Sequence, residues 1–245
     1  VLVGAERNPA RGLPMIDAVI VAADGDAGRI VATLSARHVT AMRTAATTFL
    51  AFAAMGLGPD ATVGLVGTGV QMRAHAVMAR AAGCARLLVA SANGDVTRAR
   101  RAAERLAAET RLPVEAHTAD GLAAEADAVV LSTIATAPPV AAERFRADAL
   151  VAAVGAFLPE AAELPADLVR DADVVIADWR DRLRDQWHAA RERLGPAYDA
   201  MLDLQAVLAS GESVRRRGGR GVFLSDGRSP EDTAAVSLLL EDRPT

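Results

Sequence analysis

Three residues, Gly67-Thr68-Gly69, have the types and spacing to hold a phosphate group. They follow the apolar run Thr62-Val63-Gly64-Leu65-Val66 and precede a helical pattern from Val70 to Ala82. Gly67 permits a tight turn, and Gly69 lets the backbone approach a ligand with no Cβ in the way. The amides of Val70 and Gln71 open the helix and aim its positive end at the turn. Strand, G-x-G, helix is the setting a dinucleotide-binding turn requires. The third glycine of the usual pattern is replaced by Met72. That replacement predicts a looser helix–strand contact with phosphate binding kept.

The end of the next strand should read the ribose of such a nucleotide. NAD-specific sites carry an acid there, but this chain reads Val89-Ala90-Ser91-Ala92-Asn93. Ser91 could hydrogen-bond a 2′-phosphate and Arg98 could supply charge, which leans toward NADP over NAD. Arg98 is equally readable as one of many solvated arginines on its helix.

Other chemistries find little support. All 27 cationic side chains are Arg, so no lysine of this chain can form a Schiff base or act as general acid. His38, His75, His117 and His188 are scattered, with no two at metal-ligand spacing. His38 is read as facing a pocket or capping a helix entry, and His75 as structural. Cys84 is the only cysteine, which excludes an internal disulfide and a cysteine zinc cluster and makes a reducing cytoplasm the default. It has no nearby His, and no G-x-S-x-G motif is present, so nucleophilic catalysis has no basis. The run Arg215 to Arg220, broken by glycines, reads as a solvated loop.

The elements that must position the glycine turn follow from the apolar pattern. Asp17–Ala23 and Arg29–Leu34 read as strands joined by the hairpin signal Asp24-Gly25-Asp26. Thr40 reads as the N-cap of a helix from Ala41 to Met55. After Thr62–Val66 come a helix with Val70, Val77, Met78 and Ala81 on one face, a strand Arg86–Ala90 and a helix Val96–Glu109. Strands Val114–Ala116, Ala128–Leu131, Leu150–Val154 and Val174–Ala177 follow. Continuous Val/Ile/Leu runs mark strands covered on both faces, hence a parallel sheet flanked by helices. After Asp178 the expectation is helices alone: Trp179–Leu194, Ala197–Ala209 and Thr233–Glu241. The predicted fold class is α/β, with a Rossmann-type parallel sheet over 61–179. It is inserted into a second α+β domain built from both termini (1–60 and 180–245).

A chain of 245 residues, 51% hydrophobic and 24% charged, can bury a sizeable core. A net charge of -4 gives no reason to expect nucleic acid or an anionic membrane as partner. No apolar stretch reaches membrane-spanning length, and the first residues lack the pattern of a signal peptide. The chain opens on Val1 in a strand-like stretch, which suggests a fragment or a misplaced start.

A wider pattern now becomes visible. Thr40-Ala41-Met42-Arg43-Thr44-Ala45-Ala46 followed by Gly67-Thr68-Gly69-Val70-Gln71 resembles the ornithine cyclodeaminase/mu-crystallin family, whose pattern is T-x-x-R-T-A-A before G-x-G-x-Q. Ser132-Thr133 with Pro138-Pro139-Val140 resembles the family's turn after the fourth strand. Val154-Gly155-Ala156, Pro159 and Glu163-Leu164 resemble its segment after the fifth. Val222-Phe223, Ser225, Gly227 and Glu231-Asp232 resemble its C-terminal F-x-S-x-G motif.

The resemblance implies a homodimer that handles a small amino or imino acid with bound NAD(P), its split N- and C-terminal domain serving dimerisation and substrate. It implies that Arg43 grips the substrate carboxylate, for which a guanidinium offers two parallel donors. It implies that Thr44, Gly67, Thr68, Gly69, Val70, Gln71 and Ser132 contribute to the cofactor site. Thr133 and Ser225 would lie near the nicotinamide end, with Gly155 and Gly227 letting the ring approach.

Departures from the family pattern shape the activity expected. The family's substrate-binding lysine is expected upstream of Val1, so no general acid can be named. The aspartate that serves ornithine cyclodeaminases falls at Phe157, which disfavours ring-closing deamination. Leu224 and Asp226 depart from the residues usual in the C-terminal motif. The expected activity is hydride transfer between NAD(P) and a small α-imino or α-amino acid, by an imine reductase or amino-acid dehydrogenase. An ornithine cyclodeaminase-type lyase and a catalytically silent NAD(P)-binding protein stand as alternatives.

Overall fold

The computed structural model describes residues 2–4, 8, 11–13, 16–155, 162–181, 194–214 and 218–241. The expected helix over Trp179–Leu194 falls largely outside them. So do Phe157, Ala156, Pro159, His188 and the turn residues Arg7, Pro9 and Pro14. The chain divides into two compact units, 1–43 with 229–245, and 44–228.

The first unit holds an antiparallel sheet of three strands, β1 (Leu2–Gly4), β2 (Ile16–Asp24) and β3 (Arg29–Ser35). The β2–β3 hairpin turns where Asp24-Gly25-Asp26 predicted it. The Asp24 carboxylate accepts the amides of Asp26 at 2.9 Å and Ala27 at 3.0 Å, an Asx-type turn. Strand β3 runs directly into helix α1 (Ala36–Ala54). Thr40 therefore sits inside the helix rather than at its N-cap, and His38 is an exposed helical residue. The residues before Thr40 alternate like a strand only as far as Ser35.

The second unit is built on one eight-stranded parallel sheet. Its strands are β4 (Thr62–Val66), β5 (Arg86–Ala90), β6 (Val114–Ala116), β7 (Ala128–Leu131), β8 (Leu150–Ala153), β9 (Val174–Ala177), β10 (Leu202–Asp203) and β11 (Gly221–Leu224). Their spatial order is β10-β9-β11-β8-β7-β4-β5-β6, and every neighbouring pair is parallel. Successive residues face opposite sides, and both sides are covered. Val222 and Leu224 of β11 join one core with Val129, Leu131 and Val151, while Phe223 joins the other with Val130, Leu150 and Ile176.

Strand β11 corrects the sequence reading, which ended the strands at Asp178. Four residues after an arginine- and glycine-rich stretch, of which Arg215–Arg217 lie outside the described residues, give little local signal, yet β11 lies between β8 and β9 with full registers on both sides. The expected helix Ala197–Ala209 is likewise divided, by β10, into two short helices, α6 (Pro196–Asp199) and α7 (Leu204–Ser210).

Helices α2 (Val70–Ala81), α3 (Val96–Thr110), α4 (Ala119–Glu125) and α5 (Ala166–Arg170) cover the sheet. The buried residues of α2 are Met72, Ala74, His75, Ala76 and Ala79, whereas Val70 and Val77 are exposed. The expected face is thus rotated. Small residues at helical spacing let α2 approach the sheet, which the larger apolar residues would not allow. Met72 is fully buried beside Val63 and Leu65, so the contact expected to loosen is filled. Close approach at α4 is set by Gly64, where a Cβ would meet Leu122 Cδ2 at 2.2 Å. Among the described residues no helix is long and apolar enough to cross a membrane.

Candidate functional site

All eight strands of the large sheet are parallel, so their C-terminal ends share one edge. The chain order reverses direction in space between β4 and β7. A ligand site in such sheets lies in the crevice outside the strand ends at this switch point. The candidate residues fall there: Gly67-Thr68-Gly69 after β4, Ser91 after β5, Ser132-Thr133 after β7, Gly155 after β8, and Ser225 and Gly227 after β11.

The glycine turn is held against the neighbouring strand end. Gly67 has φ +125°, and a Cβ on it would meet the Ser132 carbonyl oxygen at 2.6 Å and Oγ at 2.8 Å. Ser132 in turn donates its amide to the Val66 carbonyl at 2.9 Å and its hydroxyl to the same oxygen at 3.2 Å. Gly67 is thus demanded by the protein's own packing. Gly69 differs: it caps α2 with extended backbone, and a Cβ there meets nothing within 4 Å. The space its missing side chain leaves lies over the helix N-terminus. Gln71, in the first turn, has a buried Oε1 with no hydrogen-bond partner. A bare helix N-terminus beside an open glycine suits the pyrophosphate of a cofactor, and the orphaned Gln71 Oε1, an acceptor, suits a donor such as a cofactor hydroxyl.

Ser91 is buried and donates its hydroxyl to Asn93 Oδ1 at 2.6 Å. Asp95 caps α3 by accepting the Arg98 amide, and the Arg98 side chain is 61% exposed with Asp95 4.0 Å from its Nε.

Two buried carboxylates hold the remaining loops. Glu163 accepts the backbone N–H of Thr133 on Oε1, and that of Gly155 at 2.7 Å on Oε2. Burial pushes its carboxyl up to about 7, while the surrounding amides pull the other way. Asp178, at the end of β9, accepts the Ser225 hydroxyl at 2.8 Å and the amides of Asp226 at 3.0 Å and Gly227 at 2.8 Å. Gly227 turns with φ +84°. Arg228 lies over the Trp179 ring at 5.4 Å and donates to Gln205 Oε1 at 3.1 Å. In the sequence Glu163 stands only within a motif and Asp178 only at the end of the strand region. An acid at the end of a parallel strand was the available signal for Asp178. No local pattern marks Glu163.

A third buried element lies behind the turn. His75, fully buried, bridges the Gln71 carbonyl at Nδ1 (2.8 Å) and Thr48 Oγ1 at Nε2 (3.1 Å). A carbonyl can only accept, which assigns the proton to Nδ1 and leaves Nε2 an acceptor facing the Thr48 oxygen, whose one hydroxyl proton is shared with the Thr44 carbonyl. Burial lowers the imidazole to about 4, so the ring is neutral.

In the first unit, Arg43 is part-buried between two carboxylates. It donates from Nε to Asp232 Oδ1 and from Nη1 to Glu231 Oε2, both at 3.0 Å. These acids open helix α8 (Ser229–Glu241), where negative charge also suits the helix dipole. Thr44 is buried, and its carbonyl accepts the Thr48 hydroxyl at 3.0 Å.

The opposite edge of the sheet has an open depression near Asp60, Asp127, Arg146 and Asp148. Arg146 pairs there with Asp127 at 2.7 Å and Asp148 at 3.0 Å. Its charges serve one another. Among the described residues no group of His, Cys, Asp and Glu could hold a metal ion. Cys84 is buried and its thiol is pushed up to about 11 by burial, which makes it unreactive.

The sequence model described as the ornithine cyclodeaminase/mu-crystallin family matches residues 2–242. The chain is 33% identical over 232 residues to Delta(1)-pyrroline-2-carboxylate reductase 2 of Burkholderia ambifaria, covering 93% of this chain and 71% of that protein. It is 33% identical over 239 residues to L-lysine cyclodeaminase of Streptomyces rapamycinicus, covering 93% of this chain and 66% of that protein. Among solved structures, Thermococcus litoralis Delta(1)-pyrroline-2-carboxylate reductase, in complex with NADH and L-proline, superposes with a TM-score of 0.88 at 21% identity. It covers 98% of this chain and 76% of that one. That likeness shows the fold.

Proposed function

Because this chain belongs to the ornithine cyclodeaminase/mu-crystallin family, we propose that it is an NAD(P)-dependent oxidoreductase that reduces a small cyclic α-imino acid. The observation that carries the reading is the glycine turn. Gly67 is locked by Ser132 at the switch point, while Gly69 leaves the N-terminus of α2 open to a pyrophosphate. The 33% identity to a pyrroline-2-carboxylate reductase supports the substrate class, and NADH with L-proline in a protein of the same fold supports the pairing of cofactor and substrate.

When bound, the nicotinamide supplies a hydride at its C4. The chain's part is to hold and to orient. Val70 and Gln71 amides and Gly69 receive the pyrophosphate, with Thr68 beside them. Ser132, Thr133, Gly155, Ser225 and Gly227 border the nicotinamide end, and Thr44 completes the cofactor set. Arg43 is the residue for the substrate carboxylate, its guanidinium fixed by Glu231 and Asp232. Ser91 and the exposed Arg98 favour NADP over NAD at the ribose. The proposal includes the division of labour read from the sequence, with a cofactor part around residues 61–179 and a dimerisation and substrate part from both ends. A cytoplasmic location fits the lone thiol, and the proposal includes a homodimer.

The test is a spectrophotometric assay with NADH and NADPH against Δ1-pyrroline-2-carboxylate and Δ1-piperideine-2-carboxylate. The expected result is oxidation of the reduced cofactor with formation of the cyclic amino acid. Tight cofactor binding with no turnover on either imine would sink the reductase reading. Similarity to a lysine cyclodeaminase favours one second reading. Release of ammonia from lysine or ornithine would establish it.

A further inference from the structure

We propose that Glu163 is a positioning residue for the nicotinamide end of the cofactor, its one buried carboxylate tying the loop after β7 to the loop after β8. This rests on the cofactor reading above.

Strands β7 and β8 are neighbours, and their ends lead into Thr133 and Gly155. The two loops touch backbone to backbone: a Cβ on Gly155 would lie 1.9 Å from the Thr133 carbonyl oxygen and 2.8 Å from Glu163 Oε1. Glu163 sits at this contact, 1% exposed, and takes the Thr133 amide on one oxygen and the Gly155 amide on the other. The same stretch is joined to the β7 loop once more, where the Ala162 amide donates to the Ala135 carbonyl at 2.9 Å. An ionised carboxylate accepts on both oxygens and donates on neither, so it can satisfy two N–H groups from two strands at once. Glutamine would satisfy one and set an NH2 against the other.

Among the described residues no cation pairs with Glu163. A buried carboxylate without a counter-charge is a poor device for stability, since taking it out of water is expensive and an apolar side chain would fill the space at less cost. Its advantage is directional. It fixes the spacing of two strand ends where the nicotinamide must lie at a defined distance from the substrate, and small misplacements there are magnified in rate. The space at Gly155, expected from the sequence to let a ring approach, is instead taken by the Thr133 backbone, so this glycine serves the loop contact.

The experiment uses the full chain and Glu163→Gln. Turnover of Δ1-pyrroline-2-carboxylate is followed, and calorimetry gives the affinity for ADP-ribose and its 2′-phosphate, which lack the nicotinamide. The expected result is a kcat at least about tenfold lower, with the affinity for the truncated nucleotides unchanged within about twofold because that end lies at other strand ends. An unchanged kcat overturns the proposal. So does an equal loss of affinity for the truncated nucleotides, which would mark Glu163 as a general support of the fold. Hydrogen exchange in the wild-type chain covers the case in which the variant does not fold. The Thr133 and Gly155 amides should both be strongly protected, and free exchange of either overturns the tie. Failure of the cofactor reading itself is separate: the wild-type chain would then bind neither the dinucleotides nor their truncated forms.

Discussion

The carboxylate of Asp178 accepts the hydroxyl of Ser225 at 2.8 Å, linking the end of β9 to the end of β11. The amides of Asp226 and Gly227 converge on the same group. One buried acid therefore shapes the whole S-x-G loop. Asp178→Ala would strand these donors in a buried site, at a cost of about 2–4 kcal/mol in unfolding free energy. Urea denaturation measures that loss. Faster amide exchange at residues 225–227 should accompany it, and cofactor affinity should drop.

The two glycines of the turn make opposite demands. Gly67→Ala puts a Cβ into the Ser132 carbonyl at a left-handed φ, so it should destabilise the fold by about 1–3 kcal/mol and abolish cofactor binding together. Gly69→Ala meets no protein atom within 4 Å. Its folding cost should stay below about 1 kcal/mol, the usual penalty at a helix N-cap. Its dissociation constant for NAD(P)H should nevertheless rise about tenfold or more, because the methyl enters the space of the pyrophosphate. Thermal melts with and without cofactor separate the two cases. Equal effects in both variants would contradict the division.

Glu163 and His75 pull stability in opposite directions with pH. Burial raises the Glu163 carboxyl from 4.5 to about 7, so between these values the folded chain holds a proton that the unfolded chain releases, and the ionised two-oxygen tie is complete only above about pH 7. Its contribution is fully present below pH 4.5 and is lost as pH rises through 7, by up to about 3 kcal/mol. Stability measured by denaturant from pH 5 to 8 should fall less steeply in Glu163→Gln than in wild type. A parallel pair of curves would disprove the raised carboxyl.

His75 behaves in the reverse sense. Its imidazole is lowered from 6.5 to about 4 by burial, so its contribution is present above 6.5 and disappears as pH falls through 4. Nitrogen NMR should find a neutral ring protonated on Nδ1 at pH 6. Thr48→Val keeps the shape, removes the hydroxyl that Nε2 faces at 3.1 Å, and should cost about 1–2 kcal/mol. A charged ring at pH 6 would refute the assignment.

Arg43 tests the substrate side. Arg43→Lys keeps the charge but loses the planar fork, so KM for the imino acid should rise about a hundredfold with cofactor affinity held. Asp232→Asn, which removes the charge opposite Nε, should give a smaller rise of about tenfold. Steady-state kinetics with calorimetry of the cofactor checks both. A change confined to cofactor affinity would move Arg43 out of the substrate site.

The amino-acid sequence by itself determined the local pieces. Apolar runs bounded by turn residues marked Arg86–Ala90, Val114–Ala116, Ala128–Leu131 and Val174–Ala177 with the bounds found in the structure. The motif Gly67-Thr68-Gly69 between a strand and a helix marked the phosphate turn, because both signals lie within a few residues of chain. The tertiary structure alone decided what depends on distant partners. Strand β11 exists because β8 and β9 leave it two edges to pair with. The buried face of α2 runs through His75 and Ala79 because small side chains permit a close helix, a preference that apolar periodicity ranks below Val70 and Val77. Glu163 and Asp178 become anchors only when separate strand ends deliver their amides to one carboxylate. Burial of a charge is a property of the fold around it, and no spacing in the sequence encodes that.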